Sequence, residues 1–162
     1  MTMARLTVDV QVACDDADIP SQADIHHWVE AAVQTSGRLP GGELEIAVRI
    51  VDAAEIQTLN NLYREQDKAT NVLSFPAGNI DGLPNDAPRV LGDVVICAPV
   101  VASEAQEQGK PLADHWGHMI VHGTLHLLGF DHETDAEAQE METLESRVLA
   151  TKNVTDPYKG SQ

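Results

Sequence analysis

Cysteine, aromatic residues and positive charge are all scarce in this 162-residue chain, and each scarcity excludes something. Cys14 and Cys97 are the only cysteines, too few for a disulfide framework, and they are expected to pack as small hydrophobes rather than pair or bind metal. The aromatic share of 4% leaves few platforms on which nucleobases could stack. Ten Lys and Arg against twenty-six Asp and Glu give a net charge of −16, which repels nucleic acid at long range. That repulsion matters less if the acid lies away from the site. Glu133, Asp135, Glu137, Glu140, Glu142 and Glu145 cluster late in the chain, where they read as a solvated helix face. No apolar run is long enough to span a bilayer, and the longest, from Val94 to Ala102, is interrupted by Pro99. The opening MTMARLTVDV has no signal-peptide core. The expectation is a cytoplasmic protein with no membrane partner.

Hydrophobic residues at 43% and charged residues at 22% are ordinary globular usage, and the length suits one domain, residues 1–162, with a partly ordered tail from about 151. Leu6, Val8, Val10 and Val12 alternate with polar partners, which predicts a half-buried strand. Pro20 and Ser21 then open a helix with Ile25, Trp28, Val29, Ala32 and Val33 on one face and Gly37 as its stop. Leu44 to Ile50 alternate again as a second strand, and Asp52 with Glu55 has the form of a capping box for a helix ending near Arg64 to Asp67. NVLSFP (71–76) reads as a short strand, 77–89 as a loop, and Val90 to Ala98 as a buried central strand. Pro99 and Pro111 each begin a helix, and Thr134 with Glu137 caps a last one carrying Met141, Leu144 and Val148 inward. The predicted class is α+β (mixed α/β): about four strands, partly parallel, with 71–76 antiparallel to 90–98, and about five helices around the one beginning at Pro111.

That central helix carries the chemistry. HGTLHLLGFDH, residues 122–132, places histidines at relative positions 1, 5 and 11 with a glycine between the second and third. On a helix, His122 and His126 share a face one turn, about 5.4 Å, apart. Gly129 can end the helix in the left-handed conformation and turn His132 back toward the pair. Three imidazoles with an open fourth position suit catalytic zinc, one ion per chain. His118 lies one turn earlier but about 12 Å along the axis from His126, too far to complete the sphere with both. It is a candidate for touching substrate or supporting a ligand, as against a core or capping role. Asp131 could orient a ligand imidazole or simply occupy the turn.

The same spacing occurs in metzincin zinc peptidases, but these need a glutamate directly after the first histidine, and here that residue is Gly123. A metal that activates water or polarises a phosphoryl oxygen suits phosphodiester hydrolysis, which also needs a cation for the charge developing on phosphate. Arg64, at the end of its helix just before NVLSFP, is the candidate catalytic residue, against the plainer reading of an exposed terminal arginine. Lys68 and Arg89 have weaker claims.

HGTLHLLGFDH resembles the signature of the YbeY family of bacterial endoribonucleases, or rRNA maturation factors. NLYREQDKATNVLSFP is similar to that family's second block, LGDVVIC to its third, and the closing DPY also matches, so the likeness spans roughly residues 45 to 158. The resemblance implies a zinc-dependent, single-strand-specific endoribonuclease acting in rRNA maturation, including the 3′ end of the small-subunit RNA, and in ribosome quality control. It places zinc on His122, His126 and His132 and the family's functional arginine on Arg64. Its partners would be single-stranded RNA or rRNA and the ribosome or ribosomal proteins, not DNA. The departure is Ala69, where the family usually has proline, which loosens the turn before the strand. The alternatives are a ribosome-assembly binding factor, docked through its acidic surface with zinc holding the fold, and the zinc peptidase.

Overall fold

The computed structural model describes residues 5–15, 18–37, 43–77, 89–130, 134–151 and 154. In chain order the elements are β1 (Arg5–Val12), α1 (Gln22–Ser36), β2 (Glu43–Val51), α2 (Ala53–Arg64), β3 (Val72–Pro76), β4 (Arg89–Cys97), α3 (Ala98–Gln108), α4 (Leu112–Leu127) and α5 (Asp135–Ala150). This is the predicted α+β class: among the described residues, five helices and one four-stranded mixed sheet of order β1-β2-β4-β3. β2 pairs parallel with β1 and β4, and β3 pairs antiparallel with β4, so β3 forms one edge. The loop expected at 77–89 and the tail expected from 151 lie almost wholly outside the described residues.

Local chemistry explains the helix ends. Ser21 Oγ accepts from the Asp24 N–H at the start of α1, and Gly37 ends it at φ +70°. Thr134 caps α5 through the Glu137 N–H and also donates its hydroxyl to the Glu137 carboxylate. The box expected at α2 is only half built. Asp52 accepts from the Glu55 N–H, but the Glu55 carboxylate grips the Arg49 guanidinium at 2.6 and 3.1 Å instead of reaching back, tying β2 to the helix. Pro111 stands one residue outside α4, whose first residue is Leu112.

The two sheet faces are covered differently. Alternation sends Leu44, Ile46, Val48, Ile50, Val94 and Ile96 toward α1 and α4, where Ile25, Val29, Trp116 and Ile120 meet them. Val51, Leu73, Val95 and Cys97 face the other way, against Ile56 and Leu59 of α2. Each such aliphatic side chain contributes about 1.5–3 kcal/mol on burial. Cys97 lies fully buried in this second cluster and Cys14 packs against the first, as small hydrophobes do.

α4 is anchored by one polar cluster outside the histidine motif. His115 is 3% exposed; its Nε2 lies 2.9 Å from Glu104 Oε1 on α3, and the same carboxylate accepts from Asn71 Nδ2 beside β3. Burial lowers the His115 pKa below its ordinary 6.5, outweighing the hydrogen bond and charge of Glu104, which raise it; Lys110 and His118 add to the lowering.

Two outcomes follow from this packing. Gly92 sits in β4 just after a register shift, at φ +138°, where a Cβ would lie 2.2 Å from the Phe75 carbonyl oxygen. Gly92→Ala should therefore lose about 2–4 kcal/mol in urea unfolding, from strain and backbone overlap together; a loss under about 0.5 kcal/mol would show that β3 is not held there. Because the folded pKa of His115 is below 6.5, the unfolded chain binds the extra proton first as the pH falls. Stability should be level above about 6.5 and decline through the window below it, and His115→Gln should flatten that decline in melting curves taken against pH.

Candidate metal centre

α4 ends as its sequence predicts. Gly129 has φ +100°, its N–H donates to the His126 carbonyl, and the Phe130 N–H donates to the Leu125 carbonyl, the paired bonds of a Schellman motif. Leu125 and Phe130 close it by packing in the same apolar cluster. The turn thus starts the chain back after the second histidine. His132 and Asp131, the expected third ligand and its neighbour, lie outside the described residues.

His122 and His126 are half-buried, with ring centroids 4.7 Å apart and planes at 75°. Among the described residues no group of three His, Cys, Asp or Glu side chains is arranged to hold a metal. The donor chemistry nevertheless fits one. His122 Nδ1 lies 2.5 Å from Glu145 Oε1, the kind of contact by which carboxylates support ligating imidazoles. Two imidazoles on adjacent turns suit zinc, and also nickel or copper.

Glu145 corrects the expectation that the late acidic cluster is a solvated face. Asp135, Glu137 and Glu140 are exposed, but Glu145 is fully buried. The buried positions of α5 are Met141, Leu144, Glu145, Val148 and Leu149, the i, i+3, i+4, i+7, i+8 stripe that packs on α1 and α4. The signal was present in the sequence: the periodicity that sends Met141, Leu144 and Val148 inward sends residue 145 with them. His118 borders the same carboxylate, its side chain 12% exposed and its Nε2 3.6 Å from Oε1, with its ring 6.4 Å from that of His122.

Gly123 has no room for the peptidase glutamate. Its Cβ would lie 2.5 Å from Val94 Cγ1 on β4, because α4 closes onto the sheet there.

Arg64 is the exposed last residue of α2, a helix whose buried face packs on the side of the sheet opposite α4, and among the described residues it has no ion-pair partner. The two sides meet through edge strand β3. Val72 and Ser74 face α4, with Ser74 Oγ donating to the Gly123 carbonyl at 3.0 Å, while Leu73 and Phe75 face α2. The Phe75 ring meets Tyr63, the residue before Arg64, edge-on at 5.1 Å.

Known proteins share this arrangement of elements and motifs. The family profile described as Endoribonuclease YbeY matches residues 10–153. An Endoribonuclease YbeY of Halorhodospira halophila is 55% identical over 143 residues, covering 88% of this chain and 90% of its own length. That of Xanthomonas axonopodis pv. citri is 54% identical over 157 residues, covering 96% and 95%. The solution structure of TM1509 from Thermotoga maritima aligns with a TM-score of 0.57 at 22% identity over 96% of this chain and 97% of that one, a likeness of fold. The chain therefore belongs to the YbeY endoribonuclease family.

Proposed function

We propose that this protein is a zinc-dependent endoribonuclease that cuts single-stranded regions of ribosomal RNA, including the 3′ end of the small-subunit RNA, and serves ribosome quality control. One observation supports it above the others: in a chain of this family, His122 and His126 stand on consecutive turns with a buried carboxylate fixed to the first. His122, His126 and His132 would hold one zinc ion per chain. Bound there, the metal supplies an activated water or a polarised phosphoryl oxygen.

The protein's own groups do the rest. Glu145 holds the His122 ring against rotation. The Gly129 turn ends α4 just after the second histidine. Arg64 would meet the charge building on phosphate with its planar, forked guanidinium. Both α2, which ends at Arg64, and α4, which carries the histidines, pack on edge strand β3, so an RNA strand passing that sheet edge would reach both helices. His118 and Asp131 would support the site beside the ligands.

No helix of the described residues is long and apolar enough to cross a membrane, which accords with action in the cytoplasm on RNA rather than DNA or lipid. The net charge of −16 makes docking on basic ribosomal proteins the natural route to RNA that a free acidic protein would repel. We take residues 1–162 to be one domain.

Elemental analysis of the purified protein should find close to one zinc per chain, and the loaded protein should cleave single-stranded RNA. His126→Ala should lose both. Arg64→Ala should keep the metal and the fold while cleaving on the order of 100-fold more slowly, the usual loss for one charge-stabilising donor. Loaded wild type that leaves RNA as intact as His126→Ala does would overturn the proposal. Cells carrying Arg64→Ala with normal rRNA maturation would instead favour an assembly factor whose zinc serves the fold.

A further inference from the structure

We infer that Glu145 is a positioning residue of the metal centre: its carboxylate holds His122 with the proton on Nδ1, so that the Nε2 lone pair is directed at the metal, and α5 becomes part of the site. The inference rests on the metal-centre reading above and goes beyond its three ligands.

Ionisable side chains are almost never fully buried without a partner that needs them. Glu145 is 0% exposed on an otherwise apolar stripe, between Met141 and Leu144 on one side and Val148 and Leu149 on the other. A leucine would suit that stripe by packing alone, so a carboxylate there must answer a polar demand. The demand comes from α4: Oε1 lies 2.5 Å from His122 Nδ1 and 3.6 Å from His118 Nε2. In the inferred arrangement the carboxylate accepts from Nδ1–H, which makes Nε2 the acceptor of the ring. His126, on the next turn, presents the neighbouring ring at 4.7 Å. Twenty-two residues separate His122 from Glu145 and include the turn at Gly129, so the contact ties α5 to α4 across that turn.

The test compares zinc binding by wild type and Glu145→Gln, using competition against a chromophoric chelator, with melting of the metal-free proteins in parallel. Glutamine keeps the shape and weakens the hold on Nδ1. Zn²⁺ affinity should fall on the order of 10- to 100-fold, as for other residues that orient a ligand imidazole, while the metal-free variant stays folded. A purely structural carboxylate would shift the melting temperature and leave zinc affinity at the wild-type value, and that result overturns the inference. A second measurement needs no variant: ¹⁵N NMR of metal-free wild type should show His122 protonated on Nδ1, and protonation on Nε2 would equally overturn it. Wild type that binds no Zn²⁺ would instead defeat the metal-centre reading.

Discussion

The burial of α4 between the sheet and helices α1 and α5 is the constraint from which the other features follow. Ten of its sixteen residues are buried, and it meets the sheet so closely at Gly123 that a single methyl group would collide with Val94. A helix in that position excludes water from most of its circumference, so its polar groups depend on partners within the protein. Among the described residues His115 Nδ1 is buried with no hydrogen-bond partner, while others are met. Thr124 bonds back to the Ile120 carbonyl, His115 reaches Glu104, and His122 reaches Glu145. His122 and His126 thus stand half-buried at the margin of the core, with the His122 ring held by Glu145.

The same packing gives the two faces of the sheet different helices. α4 and α2 cover opposite sides of the sheet, and the five-residue strand β3 is what they share. Ser74 touches the backbone between the histidines while Phe75 touches Tyr63 beside Arg64. Among the described residues β3 is an edge strand, so the two helices meet at a border of the sheet rather than across its middle.

Charge is sorted by depth. Most of the acidic residues of α5 are solvated, where water screens them and they act on partners at a distance. One is buried, where its effect is local and confined to the imidazoles beside it. A net charge of −16 therefore describes how this protein meets other macromolecules and says little about the chemistry within its cleft.

Much was legible in the sequence because the determinants are local. Alternation in β1 and β2, the caps Ser21, Asp52 and Thr134, and Gly37, Gly109 and Gly129 act within a few residues of themselves, and each element formed as its pattern implied. The pairing of His122 with His126 is also local, being a property of any helix. What only the tertiary structure decided are relations beyond the reach of local pattern: that Glu55 grips Arg49 in place of closing its capping box, that α2 and α4 cover opposite faces of the sheet and meet at β3, and that Glu145 lies against His122. Periodicity could place residue 145 on a buried stripe, but an acid on such a stripe becomes intelligible only once α5 is docked on α4, because its burial is offset by a partner 23 residues away.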